Sequence, residues 1–324
     1  MHRSADEMTH AWNLGKELIT YAAAAELGLE KPLLRAHRDG RLERVARGVY
    51  VPRIATTHGS PGQQRAADYL RLVLAAARRL HSPVFTSWSA VALLGLPIVG
   101  RWPQDIYVLS RTAHGKRRRG LVSVARRSDV PVTTTCGLEL TDVEFTLIQL
   151  ARHAPLVSAL VAANAACLTR QGAGGLTTPA RLWVEHERLL PYRSHRRVQA
   201  VLERVRDNAE SPLETVSDLT IDELGFAAPR HQVRFDVTTG SAYLDFYWEE
   251  AGIGGEADGD TKYLHSGSDA GATVLEEKHR EDELRSQLRG LVRWSWRDAW
   301  LRTPLEGKLV RAGVPRPRLP RQLR

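Results

Sequence analysis

Three carboxylates lying close together, Asp245, Glu256 and Asp258, are the side chains of this sequence best spaced for chemistry. Ala242 to Trp248 and Ile253 to Asp258 read as two strands. The four residues between them, Glu249 to Gly252, favour an antiparallel hairpin. If the loop closes simply, position 248 pairs with 253, and Asp245 comes to lie directly opposite Glu256, with Asp258 on the same face. Directly opposed β-carbons sit about 4.5 to 5.5 Å apart, and like charges there repel. Something positive should therefore lie between them. Two carboxylates held on rigid strands with a third nearby make an oxygen-ligand site suited to Mg²⁺ or Mn²⁺, cations that bind through few carboxylates and keep several waters.

The surrounding elements are legible from local signals. Ser211 and Glu214 make a capping-box pattern around Pro212, opening a helix that Gly225 ends. That pattern also explains Glu214 as a helix cap. Val292, Trp294 and Trp296 alternate as a half-buried strand. Far upstream, Thr20 is a plausible N-cap for a helix over Tyr21 to Leu27, Gly28 makes a turn, and Pro32 sits in the first turn of a second helix that Gly40 ends. In this second helix Leu29, Leu33 and Ala36 would face a core, while Lys31, Arg35 and Arg38 line another face. Arg41 to Val45 and Val49 to Val51 follow as a hairpin that carries Arg44 and Arg47.

Between these ends, residues 64–208 read as mostly helical, with helices from Asp142 and from Pro155 and strands at Asp105 to Ser110 and Leu121 to Val124. The apolar stretch His153 to Thr169 is too short for a membrane span and reads as a buried helix. Seven Arg or Lys and no acid lie between Arg111 and Arg127. Lys116, Arg117, Arg118 and Arg119 are consecutive there, either a phosphate-contacting loop or a solvated hairpin tip.

Charge is distributed unevenly around a net +9. Residues 208–300 carry 19 acidic and 9 basic side chains and the remainder 18 and 37. The basic part suits a phosphate backbone and the acidic part a cation; two ordinary solvated surfaces are the alternative. Cys136 and Cys167 match neither a metal-ligand spacing nor a disulfide framework. Asp6, Glu7 and Glu17 interrupt any secretory apolar run, so a cytoplasmic location is expected, without a membrane partner.

The stretch LITYAAAAELGLEKPLLRAHRDGRLERVARGVYVPR resembles the N-terminal winged helix-turn-helix of the AbiEi-type antitoxins, including its closing Gly48, Val49 and Tyr50. It departs at Glu30, where a short N-cap hydroxyl is commoner. TSWSAVALLGLPIVG resembles the segment that follows the winged domain in actinobacterial relatives. YLDFYW, GGEADGDTKYLH and EEKHREDELRSQLRGLVRWSW resemble the nuclease-related domains allied to very-short-patch repair endonucleases, of the PD-(D/E)XK class. That second resemblance implies site positions at Glu214, Asp245, Glu256, Asp258, Gly259, Arg280, Glu281 and Trp294. A full site of that class carries Lys two residues after the Glu. Asp258 stands there instead, so Lys262 or Lys278 would have to substitute.

The expected fold is therefore α+β and multidomain. A winged helix-turn-helix spans 1–63, an antitoxin-like α/β middle region 64–208, a PD-(D/E)XK nuclease-like domain 209–310, and a basic Pro-rich tail, expected to be disordered, 311–324. Two functions follow from the resemblances. One is a DNA endonuclease in which Asp245, Glu256 and Asp258 hold Mg²⁺ or Mn²⁺, and Asp245, Glu256, Lys262 and Glu214 form the catalytic set. Lys31, Arg35, Arg38, Arg44, Arg47 and Lys116 to Arg119 would then hold the DNA. The other is an antitoxin-like repressor of a toxin-antitoxin operon that retains an inactive nuclease fold, with DNA and a cognate toxin as partners. A pure protein-interaction adaptor would leave the basic surfaces idle.

Overall fold

A computed structural model describes residues 17–53, 60–127, 129–169, 174–238, 240–258 and 283–322. The chain divides into two compact units, 1–205 and 206–324. Lys262, Lys278, Gly259, Arg280 and Glu281 lie outside the described residues.

The first unit begins with β1 (Ile19–Thr20), α1 (Tyr21–Glu26), α2 (Glu30–Arg38), β2 (Leu42–Ala46) and β3 (Val49–Pro52). Thr20 caps α1 as anticipated, its hydroxyl accepting from the Ala23 amide at 3.1 Å. The strands form an antiparallel sheet in the order β1-β3-β2, and the hairpin turns at Arg47 and Gly48. Ala24, Leu33 and Tyr50 form the small core. The expected apolar stripe of α2 is corrected at one end. Leu29 is the N-cap rather than a helical residue and is 47% exposed, so only Leu33 of the triplet is buried. Glu30 becomes the first helical residue, where an acid favours the helix dipole.

The same unit continues with α3 (Pro61–Ala77), β4 (Val84–Phe85), α4 (Ser87–Leu93), β5 (Ile106–Leu109), β6 (Lys116–Arg118), β7 (Leu121–Val124), β8 (Val132–Thr135) and β9 (Leu138–Thr141). Four helices complete it: α5 (Val143–His153), α6 (Leu156–Cys167), α7 (Pro179–Leu189) and α8 (His195–Leu202). The strands make one six-stranded sheet, ordered β6-β7-β5-β4-β9-β8. Asp142 and Pro155 cap α5 and α6 as anticipated. Apolar on nearly every face, α6 is buried on nearly every face. Among the described residues no helix is long and apolar enough to cross a membrane.

The second unit holds α9 (Pro212–Glu223), β10 (Arg230–Val237), β11 (Gly240–Trp248), β12 (Ile253–Ala257), β13 (Gly290–Trp294), α10 (Trp296–Leu301) and α11 (Thr303–Ala312). Its sheet runs β10-β11-β12-β13, antiparallel through β12 and parallel between β12 and β13. The β11–β12 hairpin closes in the expected register, Trp248 facing Ile253 and Phe246 facing Gly255. Trp296 is not a strand residue as the alternation suggested; it opens α10, whose N-cap is Ser295.

Trp294 ties this unit together. Only 1% exposed, it donates from Nε1 to Ser217 Oγ on α9 at 2.7 Å and packs against Phe246 with ring centroids 5.0 Å apart. Its six-membered ring lies over Gly255, where a β-carbon would stand 2.6 Å from the ring. The tail expected to be disordered is instead strapped to the end of α9. Arg318 and Arg321 each pair with Asp222 at 2.8 Å, Arg316 pairs with Glu306 at 2.8 Å, and the amides of Arg318 and Arg321 donate to the Gly225 and Glu223 carbonyls. Gly225, at φ +81°, lets the strap pass: a β-carbon there would stand 2.2 Å from the Arg318 carbonyl oxygen.

Gly255→Ala should destabilise the second unit by roughly 1–3 kcal/mol, the usual cost of overpacking a filled core. Chemical denaturation of the full chain will measure it, and an unchanged midpoint would show that the Trp294 ring moves aside freely.

Candidate functional site

Two groups of side chains could do chemistry or bind a charged partner, one in each unit. In the first unit Lys31, Arg35 and Arg38 are exposed on α2, and Arg44 and Arg47 are exposed on the hairpin. Among the described residues none of the five takes part in an ion pair. Lys31 and Arg35 line a cleft with Ile19, Leu27, Leu29 and Leu42, whereas Arg44 and Arg47 line a separate concavity with Tyr21, Leu34, Tyr50 and Arg79. Arg79 was not singled out in the sequence, because it follows α3 and meets the hairpin only in three dimensions.

The cationic run Lys116 to Arg119 is neither a loop nor wholly uncommitted. Lys116, Arg117 and Arg118 form β6, the edge of the six-stranded sheet, and Arg119 starts the turn into β7. Arg117 is bound to Asp105 at 2.5 Å, and the same carboxylate accepts from the Gly120 amide. Charge on an exposed edge strand also blocks pairing with other chains.

In the second unit the structure gathers Glu214, Asp245, Glu256 and Asp258 around one end of the sheet. The capping box expected at α9 forms by half: Ser211 Oγ accepts from the Glu214 amide at 3.1 Å, but the Glu214 carboxylate accepts from the Glu210 amide at 3.0 Å. The same Glu214 oxygen accepts from Gln232 Nε2 at 3.2 Å, and that Gln232 nitrogen donates also to Asp245 Oδ1 at 3.2 Å. Asp245 Oδ2 accepts from the Ala257 amide at 2.9 Å. Asp245 thus receives N–H donors on both oxygens.

Across the sheet, Arg293 on β13 is the register partner of Glu256 on β12. Its Nε donates to Glu256 Oε2 at 2.6 Å and lies 3.6 Å from Asp258 Oδ2. Burial raises the Glu256 carboxyl above its ordinary range; Arg293 opposes that shift, and Asp258 and Asp245 add to it. A positive group was anticipated between Asp245 and Glu256; the arginine stands instead beside Glu256 and Asp258.

A divalent cation does not fit this donor set as it stands. Oxygens of all four carboxylates are turned toward nitrogen donors or a guanidinium, and among the described residues no three His, Cys, Asp or Glu side chains are grouped to hold a metal ion. Two members were missed in the sequence. Arg293 becomes visible only once the parallel register of β12 and β13 is known. Gln232 lies on β10, a strand no local signal marked, and its φ of +52° is a strained value for a non-glycine residue, of the kind that persists where the surroundings hold it.

Asp245→Asn should therefore destabilise the protein, by about 1–2 kcal/mol, because the amide would present N–H to one of two N–H donors. Like-charge repulsion alone predicts the opposite sign. Thermal melting in EDTA separates the two, and a variant more stable than the parent would show that repulsion dominates.

Residues 14–53 match the family described as "Transcriptional regulator, AbiEi antitoxin". The match covers α1, α2 and the β2–β3 hairpin of the first unit and ends at Arg53. No curated protein and no solved structure matches the chain.

Proposed function

We propose that the chain is a DNA-binding transcriptional regulator of the AbiEi antitoxin type, with α1, α2 and the β2–β3 hairpin as its DNA-contacting winged module. The observation that carries this reading is the coincidence of the family match with the module whose helix and wing hold Lys31, Arg35, Arg38, Arg44 and Arg47 exposed and outside any ion pair among the described residues. Arginine and lysine on a helix and an adjoining wing supply phosphate contacts, which give affinity and orientation without reading sequence. A cognate toxin is the partner this family description suggests, and autoregulation of a shared operon would be the output.

The endonuclease reading draws on the gathering of Glu214, Asp245, Glu256 and Asp258 at one end of a mixed sheet preceded by a helix. It loses its metal to Arg293 and to the amides that occupy Asp245. We therefore assign the second unit to structure or partner binding, and we route no hydrolytic step through it.

The test is DNA binding by the full chain in EDTA, with duplex from the promoter of its own gene and salt varied. Replacing Arg35 and Arg38 together should reduce the slope of log K against log salt by about 1.8, near 0.9 for each phosphate no longer neutralised. An unchanged slope would remove α2 from the interface. Loss of binding only on replacing Lys116, Arg118 and Arg119 would move the anchor to the edge strand β6. Plasmid nicking that needs Mg²⁺ or Mn²⁺ and disappears in Glu256→Gln would favour the enzyme.

A further inference from the structure

We propose that Arg293 is the built-in cation of the carboxylate cluster, standing where a PD-(D/E)XK site would hold a divalent metal, so that the second unit is complete without one. Asp245 and Glu256 sit one residue beyond the last register pair of the hairpin, Phe246 with Gly255, and Asp245 is near enough to help raise the Glu256 carboxyl. A positive charge must come from somewhere. The parallel pairing of β12 with β13 places Arg293 beside Glu256, and one guanidinium then serves Glu256 at 2.6 Å and Asp258 at 3.6 Å.

A delocalised guanidinium suits this role better than the compact charge of a lysine would. Its Nε stands nearest to both carboxylates, hydrogen-bonded to Glu256 and within ion-pair distance of Asp258, so one delocalised charge serves the two. It also keeps its charge at any accessible pH. Gln232 performs the matching task on the uncharged side, its single amide nitrogen bridging Glu214 and Asp245. Between them, Arg293, Gln232 and the Ala257 amide supply the donors that a metal and its waters would otherwise answer. The inference does not depend on DNA binding by the first unit, and its failure would leave that reading intact.

The experiment uses the full chain, stripped with EDTA and titrated with MgCl₂ or MnCl₂. The parent melting temperature is expected not to move at millimolar metal, whereas any ligand that binds only the folded state raises it with concentration. Arg293→Gln should lower the metal-free melting temperature by a few degrees, and Mn²⁺ should recover part of the loss by entering the vacated position. Arg293→Lys should fall between the two. Because Arg293→Gln could fail to fold, Mn²⁺ electron paramagnetic resonance on the parent decides independently. No bound Mn²⁺ that depends on Glu256 supports the proposal. A bound equivalent that vanishes in Glu256→Gln overturns it, as does an Arg293→Gln protein that melts no lower than the parent.

Discussion

The close approach of Trp294 to Gly255 governs the second unit. A tryptophan ring can lie directly on the backbone of a neighbouring strand only where that strand carries no β-carbon, and β12 supplies Gly255 at that point. With the ring seated there, its Nε1 reaches Ser217 on α9, so one side chain fixes helix, β12 and β13 together. The parallel register follows, pairing Glu256 with Arg293 and Ala257 with Trp294. Adjacent residues on a strand point opposite ways, so burying Trp294 turns Arg293 out of the core. Packing thereby determines the electrostatics: the interaction that fills the core also delivers the guanidinium to the carboxylates.

That delivery decides how the cluster behaves. Two carboxylates held a few ångströms apart cost free energy unless a cation or several N–H donors answer them. Among the described residues Asp245 accepts from two uncharged donors, and Glu256 from a charged one. The difference matters because Glu256 is desolvated enough for its carboxyl to be raised, and among the described residues Arg293 works to keep it ionised. An ion pair of this kind, with Arg293 38% exposed, is partly screened and contributes modestly to net stability. Its larger effect is on what else can bind there.

The parts of this architecture that were legible in the sequence are those with local causes. A four-residue connection set the β11–β12 register, Thr20 and Asp142 announced their helices through short side chains that cap, and an unbroken apolar run announced α6. The parts that were not legible depend on residues far apart. Arg293 meets Glu256 across 37 positions, and the strap meets Asp222 across 96. Nothing in the local pattern of Arg316, Pro317, Arg318, Leu319 and Pro320 distinguishes a strap from a loose basic tail. The strand β10 was hidden for a different reason: Gln232 adopts a left-handed backbone in mid-strand, which propensity does not foresee.

Those long-range pairs also change the meaning of the uneven charge. Read along the chain, residues 208–300 show a surplus of acid that invites an external cation. In space much of that surplus is already matched inside the unit. Asp222 is paired with Arg318 and Arg321, Glu223 with Arg302, Asp298 with Lys308, Asp218 with Arg206, and Glu256 with Arg293. Several of these cations come from beyond residue 300, in the stretch counted as a basic excess. A segment can thus be strongly acidic in sequence while many of its described carboxylates are already paired with cations of the same unit. The cations in the first unit differ, because Lys31, Arg35 and Arg38 have no acidic counterpart within the described residues. Charge that is answered internally builds the fold, and charge left unanswered on an exposed helix is available to a polyanion.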